Sequence, residues 1–214
     1  MKEHRGLWYP EGDALTKNLM ARLEGEEFYR AERFHDAMKH VRQWRGAVDC
    51  GAHVGAWSRE LAKRFGRVVA IEMHPETAAC LKRNLAPWPN AITVNCALGR
   101  ASGVVGAAMN KGSIDAEVDA NRDGEIRLRR LDDLAAGWDM AAIDYLKVHV
   151  NGMELSVLCG AEATIRKYRP VMTVVIKRAL ENYGAKPEDI FNFIGSVGYR
   201  VASRLKPYWV FTPQ

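Results

Sequence analysis

Residues 47–57 read Ala-Val-Asp-Cys-Gly-Ala-His-Val-Gly-Ala-Trp, and residues 67–72 read Arg-Val-Val-Ala-Ile-Glu. Together they describe a buried strand, a glycine turn, a helix and a second buried strand ending in a carboxylate. Such a unit suits a nucleoside. The glycines let backbone approach a ligand where a Cβ would clash, and the tip carboxylate accepts hydrogen bonds from ribose hydroxyls. The turn is Gly51-x-x-x-Gly55, not Gly-x-Gly-x-x-Gly. With no pyrophosphate to cradle, a third glycine is not needed.

A chain of 214 residues, 48% apolar and 27% charged, fits one soluble globular domain with an appendage. We place the appendage, a helical extension, at 1–44 and the main domain at 45–214. Met1-Lys2-Glu3-His4-Arg5 leads into no apolar run, so no signal peptide is expected, and no stretch suits a membrane span. The four cysteines form no Cys-x-x-Cys pair, which points to free thiols in a reducing cytoplasm. The net charge of +5 permits an anionic partner without requiring one. The basic clusters at 39–45, 127–130 and 166–169 fit solvated faces better than a nucleic-acid surface.

Leu15, Leu19, Met20 and Leu23 stand at helical spacing, and a second helix is expected over Tyr29–Gln43. Further strands are expected at Ile92–Cys96, Ile143–Val150 and Pro170–Ile176. Helices are expected at Trp57–Phe65, from Pro75 to about Leu85, at Leu131–Ala136, Met153–Tyr168 and Pro187–Val197. Residues 101–130 read as antiparallel strands with a loop, and Tyr199–Ser203 with Tyr208–Phe211 as a closing hairpin. Strands alternating with helices imply an α/β fold: a mostly parallel central sheet with helices on both faces and a C-terminal antiparallel hairpin.

Val48–Gly55 resembles the first motif of class I S-adenosylmethionine methyltransferases. Several further segments follow in order: Val69–Glu76, Asn95–Gly99, Leu131–Leu134, Ile143–Glu154, Val157–Ala161 and Tyr168–Pro170. Their order and spacing resemble the FkbM family of methyltransferases over roughly residues 45–177, and Gly6–Asp13 resembles the N-terminal lead of FkbM-like proteins carried by bacteriophages. The resemblance implies a Rossmann-like class I fold, S-adenosylmethionine as cofactor and a hydroxyl or carboxyl acceptor, often on a sugar. The family writes its second signature Lys-Ile-Asp-Val-Glu-Gly-x-Glu. Here Lys147, Gly152 and Glu154 match, while His149 stands for the aspartate and Asn151 for the glutamate. The following strand ends at Lys177, where the family often has a glutamate.

The candidate cofactor residues are Asp49, Gly51, Ala52, His53, Gly55, Trp57, Glu72, Met73, Cys96 and Ala97. The candidate catalytic residues are His149, as a base, and Asn151. Each has a structural alternative: His149 as a polar strand end, Asn151 as the cap of a helix near Met153, and Glu154 as a first-turn acid that suits the helix dipole. His53 and His149 lack the carboxylate companions of a metal site, and no metal is expected. Asn110–Ser113 resembles a loop near the site. Three functions stand open: an O-methyltransferase acting on a small molecule or glycan, a nucleic-acid or nucleotide methyltransferase, and a binding module that has lost catalysis. The second lacks an Asn/Asp-Pro-Pro-Tyr or Pro-Cys motif.

Overall fold

The computed structural model describes residues 1–11, 27–107, 118–119 and 125–214. A hairpin of β1 (Lys2–His4) and β2 (Leu7–Tyr9) opens the chain, and α1 (Ala31–Met38) follows. Next come β3 (Gly46–Cys50), α2 (Ala56–Ala62), β4 (Arg67–Glu72), α3 (Pro75–Leu85) and β5 (Ala91–Asn95). A small sheet holds β6 (Ala97–Leu98), β7 (Gly103–Ala107), β8 (Val118–Asp119) and β9 (Glu125–Arg129). The remainder is α4 (Leu131–Ala136), β10 (Tyr145–Val148), α5 (Glu154–Cys159), α6 (Glu162–Tyr168), β11 (Val171–Val175), a 3-10 turn (Arg178–Tyr183), α7 (Pro187–Ser196), β12 (Tyr199–Leu205) and β13 (Tyr208–Pro213).

The main sheet runs β12-β13-β11-β10-β3-β4-β5, with β11 through β5 parallel and the last two strands antiparallel. Both faces are covered, which is why its central strands read as nearly unbroken apolar runs. Alternation sorts the side chains of β10: Leu146 and Val148 join one core with Val48, Cys50, Leu158 and Met172. Tyr145 joins the other with Ala47, Phe34, Trp57 and Leu61. Successive strands depart to opposite sides of β3, so a crevice opens between the C-terminal ends of β3 and β10.

The fold differs from the sequence reading in three places. The first segment is not wholly helical: Arg5 and Gly6, at φ 51° and 73°, make the two-residue turn that suits the twist of a hairpin. The apolar spacing at Leu15–Leu23 lies outside the described residues. The expected helix over Met153–Tyr168 is two helices broken at Gly160, where a Cβ would sit 2.0 Å from the Gly99 carbonyl. Asp132 anchors the second, accepting from the Thr164 backbone N–H at 2.8 Å and its hydroxyl at 2.7 Å. Asn151 caps no helix: α5 begins after Met153 without a side-chain cap, and Asn151 takes a left-handed turn conformation at φ 50°. Glu154 does the work of holding this loop instead, accepting from the N–H groups of Val150 at 3.0 Å and Gly152 at 2.8 Å.

Much of the basic surface is engaged within the chain. Arg45 makes a forked pair with Asp144, Arg130 bonds Asp132, Arg166 bonds Glu162, and Arg169 donates to the carbonyls of Val197 and Gly198.

Candidate functional site

At the C-terminal ends of the parallel strands lies a cavity of about 1230 Å³, counting its open mouth. Its floor is the turn after β3. Gly51 has φ 76°, and a Cβ there would lie 1.9 Å from the His149 carbonyl oxygen. Only glycine lets the turn pass this close to β10. The turn is tied down by Glu72 at the tip of β4. One carboxylate oxygen accepts from the His53 N–H at 2.9 Å, and the other from the His74 N–H at 3.0 Å. Each oxygen retains a second lone pair, so the carboxylate is oriented yet able to accept from a ligand. Beyond it, Met73, Cys96, Ala97 and Leu98 form a largely apolar wall. Burial pushes the Cys96 thiol up to about 11 and raises Cys50 further, so both stay protonated and unreactive.

Asp49 and Gly55, both expected to touch the cofactor, do not line this cavity. Asp49 is fully buried below it. Parallel register sets Asp49 directly beside Lys147, and the two form an ion pair at 2.6 Å. The second Asp49 oxygen accepts from the Ser58 hydroxyl at 2.7 Å. Lys147 also donates to the Gly51 carbonyl at 3.1 Å and stands 5.6 Å from the centre of the Trp57 ring. The acid of the first motif and the lysine of the second are therefore one device that fixes the glycine turn to β10. Gly55 begins α2, where a Cβ would press on Leu81.

The opposite wall comes from β10, β11 and β13. His149 follows β10 and points to the same face as Lys147. Its Nε2 lies 3.0 Å from Lys177 Nζ, just past the end of β11. An ammonium can only donate, so a charged Lys177 requires a neutral imidazole that accepts at Nε2 and carries its proton on Nδ1. Burial, reinforced by the charges of Lys147 and Lys177, holds the His149 pKa well below the ordinary histidine value. The ring also meets Tyr208 edge-on at 5.8 Å, and Tyr208 stacks on Trp57 at 5.7 Å. Trp57 is fixed in turn by its indole N–H, which donates to the Tyr29 carbonyl at 2.9 Å.

Gly51, Ala52, His53, Trp57, Glu72, Met73, Cys96, Ala97, His149 and Asn151 thus line one cavity. Tyr29, Lys147, Val150, Met153, Lys177, Tyr183 and Tyr208 line it as well and were not named as site residues from the sequence. Lys177 had a signal, being the polar residue that ends a buried strand. Tyr183 had an indirect one. It rides on the 3-10 turn that packs on Gly152, where a Cβ would meet its ring at 2.7 Å. Tyr29 and Tyr208 had none: they arrive from the segment before α1 and from the antiparallel hairpin. The loop at Asn110–Ser113 lies outside the described residues.

The model of the methyltransferase FkbM domain matches residues 49–201. A methyltransferase FkbM from Methylobacillus flagellatus KT is similar at 22% identity and a TM-score of 0.60, over 81% of this chain and 45% of that one. This chain thus spans less than half the length of that relative. A precorrin-6y C5,15-methyltransferase from Geobacter metallireducens GS-15 is similar at 15% identity and a TM-score of 0.51, over 87% and 88% of the two chains. A TehB-like SAM-dependent methyltransferase from Corynebacterium glutamicum is similar at 16% identity and a TM-score of 0.52, over 94% and 95%. No curated protein matches. The doubly covered parallel sheet has the architecture of class I methyltransferases, and the domain match spans most of the sequence, from Asp49 through the last crossover helix into β12: the chain belongs to the FkbM methyltransferase family.

Proposed function

We propose that this protein transfers the methyl group of S-adenosylmethionine to an oxygen of a small molecule or glycan. The carrying observation is the oriented Glu72 carboxylate facing a cavity whose other end holds His149. The residues fit the cofactor. Glu72 would hold the ribose hydroxyls, the Gly51–His53 backbone would take the close approach, and Met73, Cys96 and Ala97 would pack on the adenine. When bound, the cofactor supplies a methyl activated by its sulfonium; the protein's task is to align and desolvate the partners.

The acceptor oxygen attacks the methyl carbon, the carbon–sulfur bond breaks and its electrons remain on sulfur. A hydroxyl must also lose its proton. His149 is the group to receive it, being neutral at pH 7 and on the acceptor side, and a base of this kind contributes ~10²–10⁴ in rate. Its Nε2 can take that proton only once Lys177 moves its own off it. That contact favours one rival, a binding module without turnover. Formation of S-adenosylhomocysteine with a panel of acceptors separates the two readings.

The cofactor assignment is tested by Glu72→Gln. The amide presents a donor where the ribose needs an acceptor, so calorimetry should show a loss of ~2–4 kcal/mol in S-adenosylhomocysteine binding, corresponding to two hydrogen bonds to a charged group. Wild-type affinity in that variant would sink the assignment.

A further inference from the structure

We propose that the methyl acceptor carries an anionic group, a carboxylate or a phosphate, that docks on Lys177 beside His149 and Tyr208. This rests on the methyltransferase reading and names the acceptor's chemistry. The two ends of the cavity are oppositely equipped. Among the described residues, Glu72 is the one carboxylate that lines it, and its oxygens face the turn after β3. Lys177 stands at the tip of β11, three strand positions away in the order β11-β10-β3-β4, or roughly 14 Å at the usual strand spacing.

The chemistry at that end suits an anion. The Lys177 ammonium donates to a neutral imidazole, which shares its proton but does not cancel its charge. Lys147 adds a second cation close by, but Asp49 already balances it. Tyr208, Tyr183 and Trp57 surround the pair with aromatic surface. In such a setting a charge-assisted hydrogen bond is stronger than in water. Lys177 and His149 stand where the family pattern has acids, so a hydroxyl-accepting wall has become a cationic one. Docking also prepares the base. An anion that takes over the Lys177 ammonium releases His149 Nε2 to receive the hydroxyl proton.

The cofactor's own methionyl carboxylate is the rival anion, and the experiment separates it. The full-length protein is titrated by calorimetry with S-adenosylhomocysteine and with 5′-methylthioadenosine, which lacks that carboxylate. The S-adenosylhomocysteine complex is then titrated with benzoate and with inorganic phosphate. The expected result is saturable binding of at least one of the two anions, weakened at least tenfold in Lys177→Met and retained in Lys177→Arg, with S-adenosylhomocysteine affinity unchanged in both. Binding of neither anion to the wild-type complex, or equal binding to Lys177→Met, overturns the proposal. Loss of S-adenosylhomocysteine but not methylthioadenosine affinity in Lys177→Met also overturns it, by giving the lysine to the cofactor. If wild-type protein fails to bind S-adenosylhomocysteine at all, the methyltransferase reading falls and takes this one with it; binding of cofactor without anion refutes this one alone.

Discussion

Asp49 and Lys147 illustrate how a residue can look like a ligand contact and be a strut. The strand register puts them side by side, and the low dielectric around them makes each indispensable to the other. Removing one partner of a buried pair costs about 3–5 kcal/mol, because the remaining charge stays buried. Lys147→Met should lose about that much in urea unfolding, and Lys147→Met with Asp49→Asn should recover a large part; a loss below ~1 kcal/mol in the single variant would contradict the strut role. His149 makes a pH-dependent prediction. Its native pKa lies below the ordinary 6.5, so the unfolded chain binds a proton that the native chain refuses. Stability is therefore level above about pH 6.5 and declines as the pH falls below it, by at most ~1.4 kcal/mol per unit. His149→Gln should flatten that acid slope; identical slopes in the two proteins would assign it to other groups.

At the scale of elements, the first hairpin is held to α3 by one side chain. Asn84 accepts from the Trp8 N–H at 2.7 Å and donates to the carbonyls of Trp8 at 2.8 Å and Val54 at 2.7 Å. The Arg83 guanidinium covers the Trp8 ring at 3.3 Å. Asn84→Ala strands a buried carbonyl and two hairpin groups, and should cost ~2–3 kcal/mol. Limited trypsin digestion should then cut faster after Arg5 than in wild type; an unchanged cutting rate would mean that β1 and β2 are held elsewhere. None of this docking is legible from spacing, because β1 and β2 are three residues each and carry no periodicity. The βαβ units are legible for the opposite reason: Val48–Gly55 and Val68–Glu72 announce buried strands by unbroken apolar runs and end them with glycine or a carboxylate. That same pattern locates the cofactor half of the site. The acceptor half is assembled from Tyr29, Tyr183, Tyr208 and Lys177, which share no local signal and meet only because the hairpin β12–β13 adds to the edge of β11. Gly160 shows a related blind spot, since the break it imposes depends on a neighbour, Gly99, sixty residues earlier in the chain.

Across the whole molecule, the sheet is a rigid floor and the cavity gathers its walls from loops at the strand ends. The turn after β3, the residues after β5, the loop after β10 and the 3-10 turn after β11 meet only around that space. A ligand filling it links segments that the empty cavity leaves joined mainly through the sheet, so binding adds directly to folding stability. At a concentration 100 times its dissociation constant, S-adenosylhomocysteine should stabilise the native chain by ~2.7 kcal/mol. For a domain of this size each kcal/mol raises the midpoint by about 2–4 °C, so the shift should be roughly 5–11 °C. Glu72→Gln should show a much smaller shift at the same ligand concentration, since it binds less. Lys147→Met should start from a lower midpoint. Hydrogen exchange should locate the gain: slower exchange at 51–57 and 96–98, with little change in β1 and β2, which lie behind α3 on the far side of Asn84. A midpoint that does not move with ligand, or protection spread evenly over the chain, would contradict a cofactor site at these strand ends.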